Sequence, residues 1–70
     1  METKSYSVSY YASVITITAT QKDPEDDAKV QSIEIDGELI DFVEGEIESG
    51  KTLDEALDNG LRKATSIVDF

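Results

Sequence analysis

The sequence predicts a small α+β domain: an antiparallel sheet of about three strands followed by two helices packed on one face, in the order β-β-β-α-α. Three observations carry this reading. The chain has 70 residues, enough for one domain over 1–70 and no second. Apolar and polar side chains alternate over much of 5–35, the period of a half-buried strand. From 38 onward apolar residues recur at helical spacing instead.

Tyr6, Val8 and Tyr10 alternate with Ser5, Ser7 and Ser9, and beyond Val14 the phase flips so that Ile15 and Ile17 take the inner side. A flip without Gly or Pro calls for a bulge or a short turn near Tyr11-Ala12-Ser13. The segment therefore reads as two strands or one long bent strand, since an unbroken run over 5–21 would far exceed the usual strand length. Ser5, Ser7, Ser9, Thr16, Thr18 and Thr20 then line a nearly uncharged open face. Lys22-Asp23-Pro24-Glu25-Asp26-Asp27 is a loop, and 30–35 is a third strand with Ile33 and Ile35 on one side.

Asp36-Gly37 is a good hairpin turn. Continued at helical pitch, however, Leu39, Ile40, Phe42, Val43 and Ile47 fall within an arc of roughly 160°. Glu38, Asp41, Glu44 and Glu48 fall opposite. The spacing thus predicts a helix over 38–48, ended by Gly50 as a left-handed cap, with the second arm of a hairpin as the alternative. Thr52 and Glu55 form a capping box for a second helix. Leu53, Ala56, Leu57, Leu61, Ala64, Ile67 and Val68 share one face of it, and Asp58 and Arg62 make an i,i+4 pair. Gly60 lies on the buried arc, a position expected where another element passes close.

Composition narrows the function. With 39% hydrophobic residues and no cysteine, the fold rests on packing alone or on a partner subunit, and a core of this size contributes only about 3–5 kcal/mol net. Histidine, cysteine and tryptophan are all absent, which removes most nucleophile–base pairs, thiolate chemistry and zinc sites. Little room is left for a water-excluding pocket, so no enzyme and no cofactor is expected. Residues 2–5 show neither a basic start nor an apolar stretch, and no apolar run approaches a membrane span, so a soluble cytoplasmic protein is expected.

The net charge is −10, which argues against nucleic acid or an anionic membrane as direct partner. It is also uneven. Residues 1–22 and 59–70 each carry a net of +1, and 23–58 carry −12. Between 34 and 48 there are seven acids and no base.

Three motifs look like chemistry. The run Gly45-Glu46-Ile47-Glu48-Ser49-Gly50-Lys51-Thr52 matches the phosphate-loop pattern G-x-x-x-x-G-K-S/T and resembles the GETGSGKT loops of helicases, which would imply bound ATP or GTP. Glu46 and Glu48, however, would put negative charge in the phosphate cradle, and the motif needs a parallel sheet. Asp23, Glu25, Asp27 and Glu34 have the spacing of EF-hand ligands, but Ala28 stands where that loop requires glycine. No metal site is assigned; a solvated acidic turn is the simpler account. The run Gly50-Lys51-Thr52-Leu53-Asp54-Glu55-Ala56-Leu57-Asp58-Asn59 is similar to the helix start of HicB-type antitoxins. It covers ten residues of the chain, the strand pair that precedes it in that family is absent, and no HicB function is carried over.

A row of carboxylates at Glu38, Asp41, Glu44 and Glu48 would be spaced about 5–6 Å apart along a helix face. Glu34, Asp36 and the loop acids Asp23, Glu25, Asp26 and Asp27 would extend it. DNA strands carry a phosphate every ~3.4 Å of axis, so such a face could occupy a basic nucleic-acid channel. Small acidic chains of this kind look like phage-encoded inhibitors of host CRISPR, restriction or transcription machinery. The expected partner is thus a basic, nucleic-acid-binding protein surface, with an ordinary acidic adaptor or small structural subunit as the alternative and nucleotide binding as a remote one. The uncharged sheet leaves the chain a monomer or a homodimer through the sheet.

Overall fold

In the computed structural model, which describes residues 1–43 and 45–69, the N-terminal alternation builds an antiparallel hairpin of β1 (Glu2–Tyr10) and β2 (Ser13–Gln21). The phase flip is a two-residue turn at Tyr11-Ala12, with Tyr10 opposite Ser13. Tyr11 sits at φ 55°. Tight hairpin turns need positive φ to match strand twist, although a bulky side chain adopts it only at a cost. The third strand, β3 (Lys29–Ile35), pairs antiparallel with β2. Its register shifts where Thr18 faces Ser32 and Ala19 faces Val30. The extra residue, Gln31, turns Val30 to the same side as Ile33 and Ile35.

Beyond β3 the expected helix over 38–48 is absent. Asp36 and Gly37 have φ of 55° and 82°, the two left-handed residues of a type I′ turn. The chain reverses into β4 (Glu38–Leu39), placing Glu38 opposite Ile35. Among the described residues the sheet therefore has four antiparallel strands in the order β1-β2-β3-β4, and it carries a single helix. This corrects the expectation of three strands and two helices.

The physical reason lies in the backbone. Gly45, midway through the expected helix, has φ 90°, which no right-handed helix accommodates. The apolar spacing serves another purpose. Ile40, Phe42 and Ile47 pack partly buried against the core, whereas Leu39 and Val43 are 61% and 70% exposed. The Ile40 amide donates to the Ile33 carbonyl at 2.9 Å, so the chain continues beside β3 after β4 ends.

Gly50 is not a left-handed cap either. It forms an isolated bridge with Ala28, with N···O distances of 2.7 and 3.0 Å. A Cβ on Gly50 would lie 2.5 Å from Glu55 Cβ and 2.6 Å from the Ala56 nitrogen. Close backbone approach, not φ, requires glycine here.

The helix α1 (Leu53–Asp69) starts as its sequence signals. The Glu55 amide donates to the Thr52 hydroxyl at 3.2 Å, and the Glu55 carboxylate accepts from the Lys51 amide at 2.8 Å. The return bond thus reaches one residue before the capping threonine. Asp54 and Glu55 in the first turn suit the positive end of the helix dipole.

Ala56, Gly60 and Ala64 form a buried seam one helical turn apart. They lie on Ile15, Ile17 and Ile33, the largest fully buried side chains. A Cβ on Gly60 would stand 2.8 Å from Ile17 Cγ2 and 3.0 Å from Val30 Cγ2, which is the close passage expected of that residue. The helix lies mainly over β2 and β3 and less over β1. Among the described residues no helix is long and apolar enough to cross a membrane.

The Gly60→Ala variant tests the seam. The change gains about 1 kcal/mol of helix propensity, whereas overpacking a filled interface costs about 1–3 kcal/mol. The clash falls on two β-branched side chains held in the sheet, so a net loss is expected, read as a lower urea midpoint with unchanged slope. A raised midpoint would show that the helix lifts from the sheet without cost.

Candidate interaction surface

The described acids between 23 and 48 fall into two exposed segments, with Glu34 and Asp36 apart from them. Asp23, Glu25, Asp26 and Asp27 occupy the loop between β2 and β3. Its backbone is fastened: the Asp26 amide donates to the Asp23 carbonyl at 3.0 Å, and Gln21 Nε2 donates to the Asp26 and Lys51 carbonyls at 2.8 and 3.1 Å. Glu38, Asp41, Glu46 and Glu48 follow the side of the sheet beyond β3 and lead into the helix. That segment is held by the Ala28–Gly50 bridge and by Asn59 Nδ2, which donates to the Glu48 carbonyl at 3.1 Å. In both segments the bonds hold carbonyls and amides, and these side chains are exposed. Asp27 accepts a long 3.5 Å bond from Ser49, which links the two segments.

Glu34 stands apart on the outer sheet face, opposite Thr16. Asp36 is structural: its carboxylate accepts from the Val14 amide at 2.9 Å, and its own amide donates to the Val14 carbonyl at 2.8 Å. Glu44, the remaining member of the expected row, lies outside the described residues. With 38–48 not helical, the even carboxylate spacing along one helix face is lost. Density of charge along a flank replaces it.

Ion pairs among the described residues involve Asp54 with Lys4 at 2.7 Å, Asp58 with Arg62 at 3.3 Å and Glu46 with Lys63 at 3.9 Å. All are solvent-exposed or half-exposed, so each contributes at most about 1 kcal/mol. Asp23, Glu25, Asp26, Glu38, Asp41 and Glu48 take part in none of them.

The setting of the phosphate-loop match is a helix cap. No parallel strand precedes it in the antiparallel sheet, Gly50 is occupied with Ala28, and the Lys51 amide already donates to the Glu55 carboxylate. Of the amides that would cradle a phosphate, those of Glu46, Gly50 and Lys51 are engaged. The EF-hand spacing fares similarly. Glu34 belongs to β3, away from the loop acids, and among the described residues no three metal-ligating side chains gather. A cleft of about 500 Å³ opens where Phe42, Ile47, Glu48 and Ser49 meet Lys29 and Val30.

The hydroxyl face forms as the alternation predicts. Ser5 bonds Thr18 at 3.0 Å and Ser7 bonds Thr16 at 2.9 Å across β1 and β2. One contact was not legible in the sequence. The Tyr10 hydroxyl donates to the Asp69 carboxylate, 2.9 Å from each oxygen, and so ties β1 to the end of the helix. Asp69 is at the negative end of the helix dipole, where a donor offsets its unfavourable position. Only its separation of 59 residues from Tyr10 hid it.

Compared with protein-family models, curated proteins and solved structures, the chain matches none.

The Tyr10–Asp69 bond makes a pH prediction. The Tyr10 hydroxyl is pushed up from 10.0 to about 12, first by its hydrogen bond to Asp69, then by partial burial and the charge of that carboxylate. Since the folded value is raised, the bond stabilises the fold fully below the unfolded value of 10.0 and is lost as pH rises through about 12. Ultraviolet titration of the three tyrosines should resolve one late step that moves down in Asp69→Ala. Three coincident steps in the unmodified protein would contradict the bond.

Proposed function

We propose that the protein is a non-enzymatic cytoplasmic binding module that docks on a basic protein surface through its acidic flank. The docking groups are Glu38, Asp41, Glu46 and Glu48, joined at the corner by the loop acids Asp23, Glu25, Asp26 and Asp27. One observation carries this reading: these carboxylates are exposed on two segments whose backbones are pinned to each other and to the helix. A preformed array of like charges loses little conformational freedom on binding and gains when a cationic surface relieves its self-repulsion. Nucleic-acid-binding proteins present such surfaces. Charge density, rather than a regular phosphate-like spacing, is what this flank offers them.

Capture from a cell lysate on the immobilised protein tests the reading when it is run against the variant Glu38→Gln/Asp41→Asn/Glu46→Gln/Glu48→Gln. The amides keep side-chain size, and circular dichroism checks the fold. The captured partner should be a basic protein, released by high salt and lost with the variant, while Thr16→Ala/Thr18→Ala retains it. Capture undiminished by neutralisation sinks the proposal. Adding excess nucleic acid separates two modes: displacement places the docking site in the partner's nucleic-acid channel, and persistence places it on a separate basic patch.

A further inference from the structure

On the side of the sheet away from the acidic flank, β1 is an edge strand of nine residues with no partner on its outer side among the described residues. Such an edge leaves alternate N–H and C=O groups free to pair, and soluble proteins usually protect it with proline, a bulge or several charges. Here the strand has neither proline nor a register shift, and Lys4 is the one charged side chain between 3 and 21. The surface beside the edge is also incompletely covered. Tyr6 is 48% exposed and lines a cleft of about 350 Å³ with Leu57 and Leu61, flanked by Lys4, Asp54 and Asp58.

We propose that this edge binds a second copy of the chain, β1 against β1 in antiparallel sense about a two-fold axis at Val8, giving one continuous sheet across two protomers. Self-complementarity selects the occupant. Tyr6-Ser7-Val8-Ser9-Tyr10 reads the same in both directions, so an axis at Val8 sets Tyr6 against the second copy's Tyr10, Ser7 against its Ser9, and Val8 against its Val8. On the outer face the serines extend the hydroxyl rows already formed by Ser5 with Thr18 and Ser7 with Thr16. On the inner face aromatic residues meet, the kind of cross-strand pair that stabilises sheets. Lys4 falls opposite Ala12, so no like charges oppose. Residues 1–22 carry a net of +1 where 23–58 carry −12, so two strongly acidic chains can approach here with little repulsion and leave both acidic flanks outermost.

Sedimentation equilibrium at about 100 µM protein should give twice the 7.7 kDa chain mass; a monomer at that concentration overturns the proposal. Charge pairs then test the register. Ser7→Lys/Ser9→Lys opposes like charges across the axis and should dissociate the dimer, whereas Ser7→Lys/Ser9→Glu opposes unlike charges and should retain it. Equal behaviour of the two folded variants overturns the axis at Val8.

A cross-link provides a readout independent of those variants, because the native chain has no cysteine. Residues directly opposite in antiparallel strands lie about 4.5–5.5 Å apart, within reach of a disulfide. Val8→Cys should therefore form a covalent dimer in air and Ala12→Cys should not. Failure of Val8→Cys to cross-link, or equal cross-linking at both positions, overturns the pairing.

Discussion

The fold depends on how closely one helix can lie on the sheet. Ala56, Gly60 and Ala64 give α1 a seam without bulk, and Ile15, Ile17 and Ile33 fill the space above β2 and β3. In a chain of 70 residues this contact is the centre of the core, and marginal domains are sensitive to such contacts. The bulge at Gln31 belongs to the same interface, because it turns Val30 toward Gly60. Close packing also brings the helix start near the β2–β3 loop, so that Gly50 can bridge Ala28 and Gln21 can reach the Asp26 and Lys51 carbonyls.

That geometry divides the molecule by charge. The helix and the inner sheet face use apolar groups, the outer face of β1 and β2 uses neutral hydroxyls, and the acids collect in the segments that run round the β3 side. Bonds to backbone groups hold those segments, and their carboxylates add only the long Ser49–Asp27 bond and the Glu46–Lys63 pair. Asp36 differs, spent on the Val14 amide. The opposite edge carries almost no charge. An acidic flank and a neutral edge on one small domain allow two different contacts, to a cationic partner and to another copy, without competition for the same surface.

Much of the fold was legible in the sequence. The alternation over 5–20 announced extended chain, the flip near Tyr11-Ala12-Ser13 narrowed the break to a bulge or a turn, and Thr52 with Glu55 announced the helix start. Gly60 was legible as a close approach because it interrupts an otherwise apolar face. The segment 38–48 misled, because five apolar residues at helical spacing can equally be intermittent contacts of an irregular chain. The Asp36-Gly37 turn held the better information, since two consecutive left-handed residues reverse the chain whatever follows. The candidate site suffered from the same error. Its acids were correctly seen to be concentrated, but their placement on one helix face depended on a helix that does not form.

By itself the sequence determined the chain's chemical character: antiparallel strands, a capped C-terminal helix, no thiol or imidazole chemistry, and a net negative charge concentrated in the middle. Those properties follow from composition and from spacings of a few residues, which local sterics and periodicity decode. Only the tertiary structure decided where the charge goes, that Gly50 admits a neighbour instead of capping a helix, and that Tyr10 meets Asp69. Each of these depends on residues far apart in sequence being brought together by the helix–sheet contact, and periodicity within a segment carries no information about that approach.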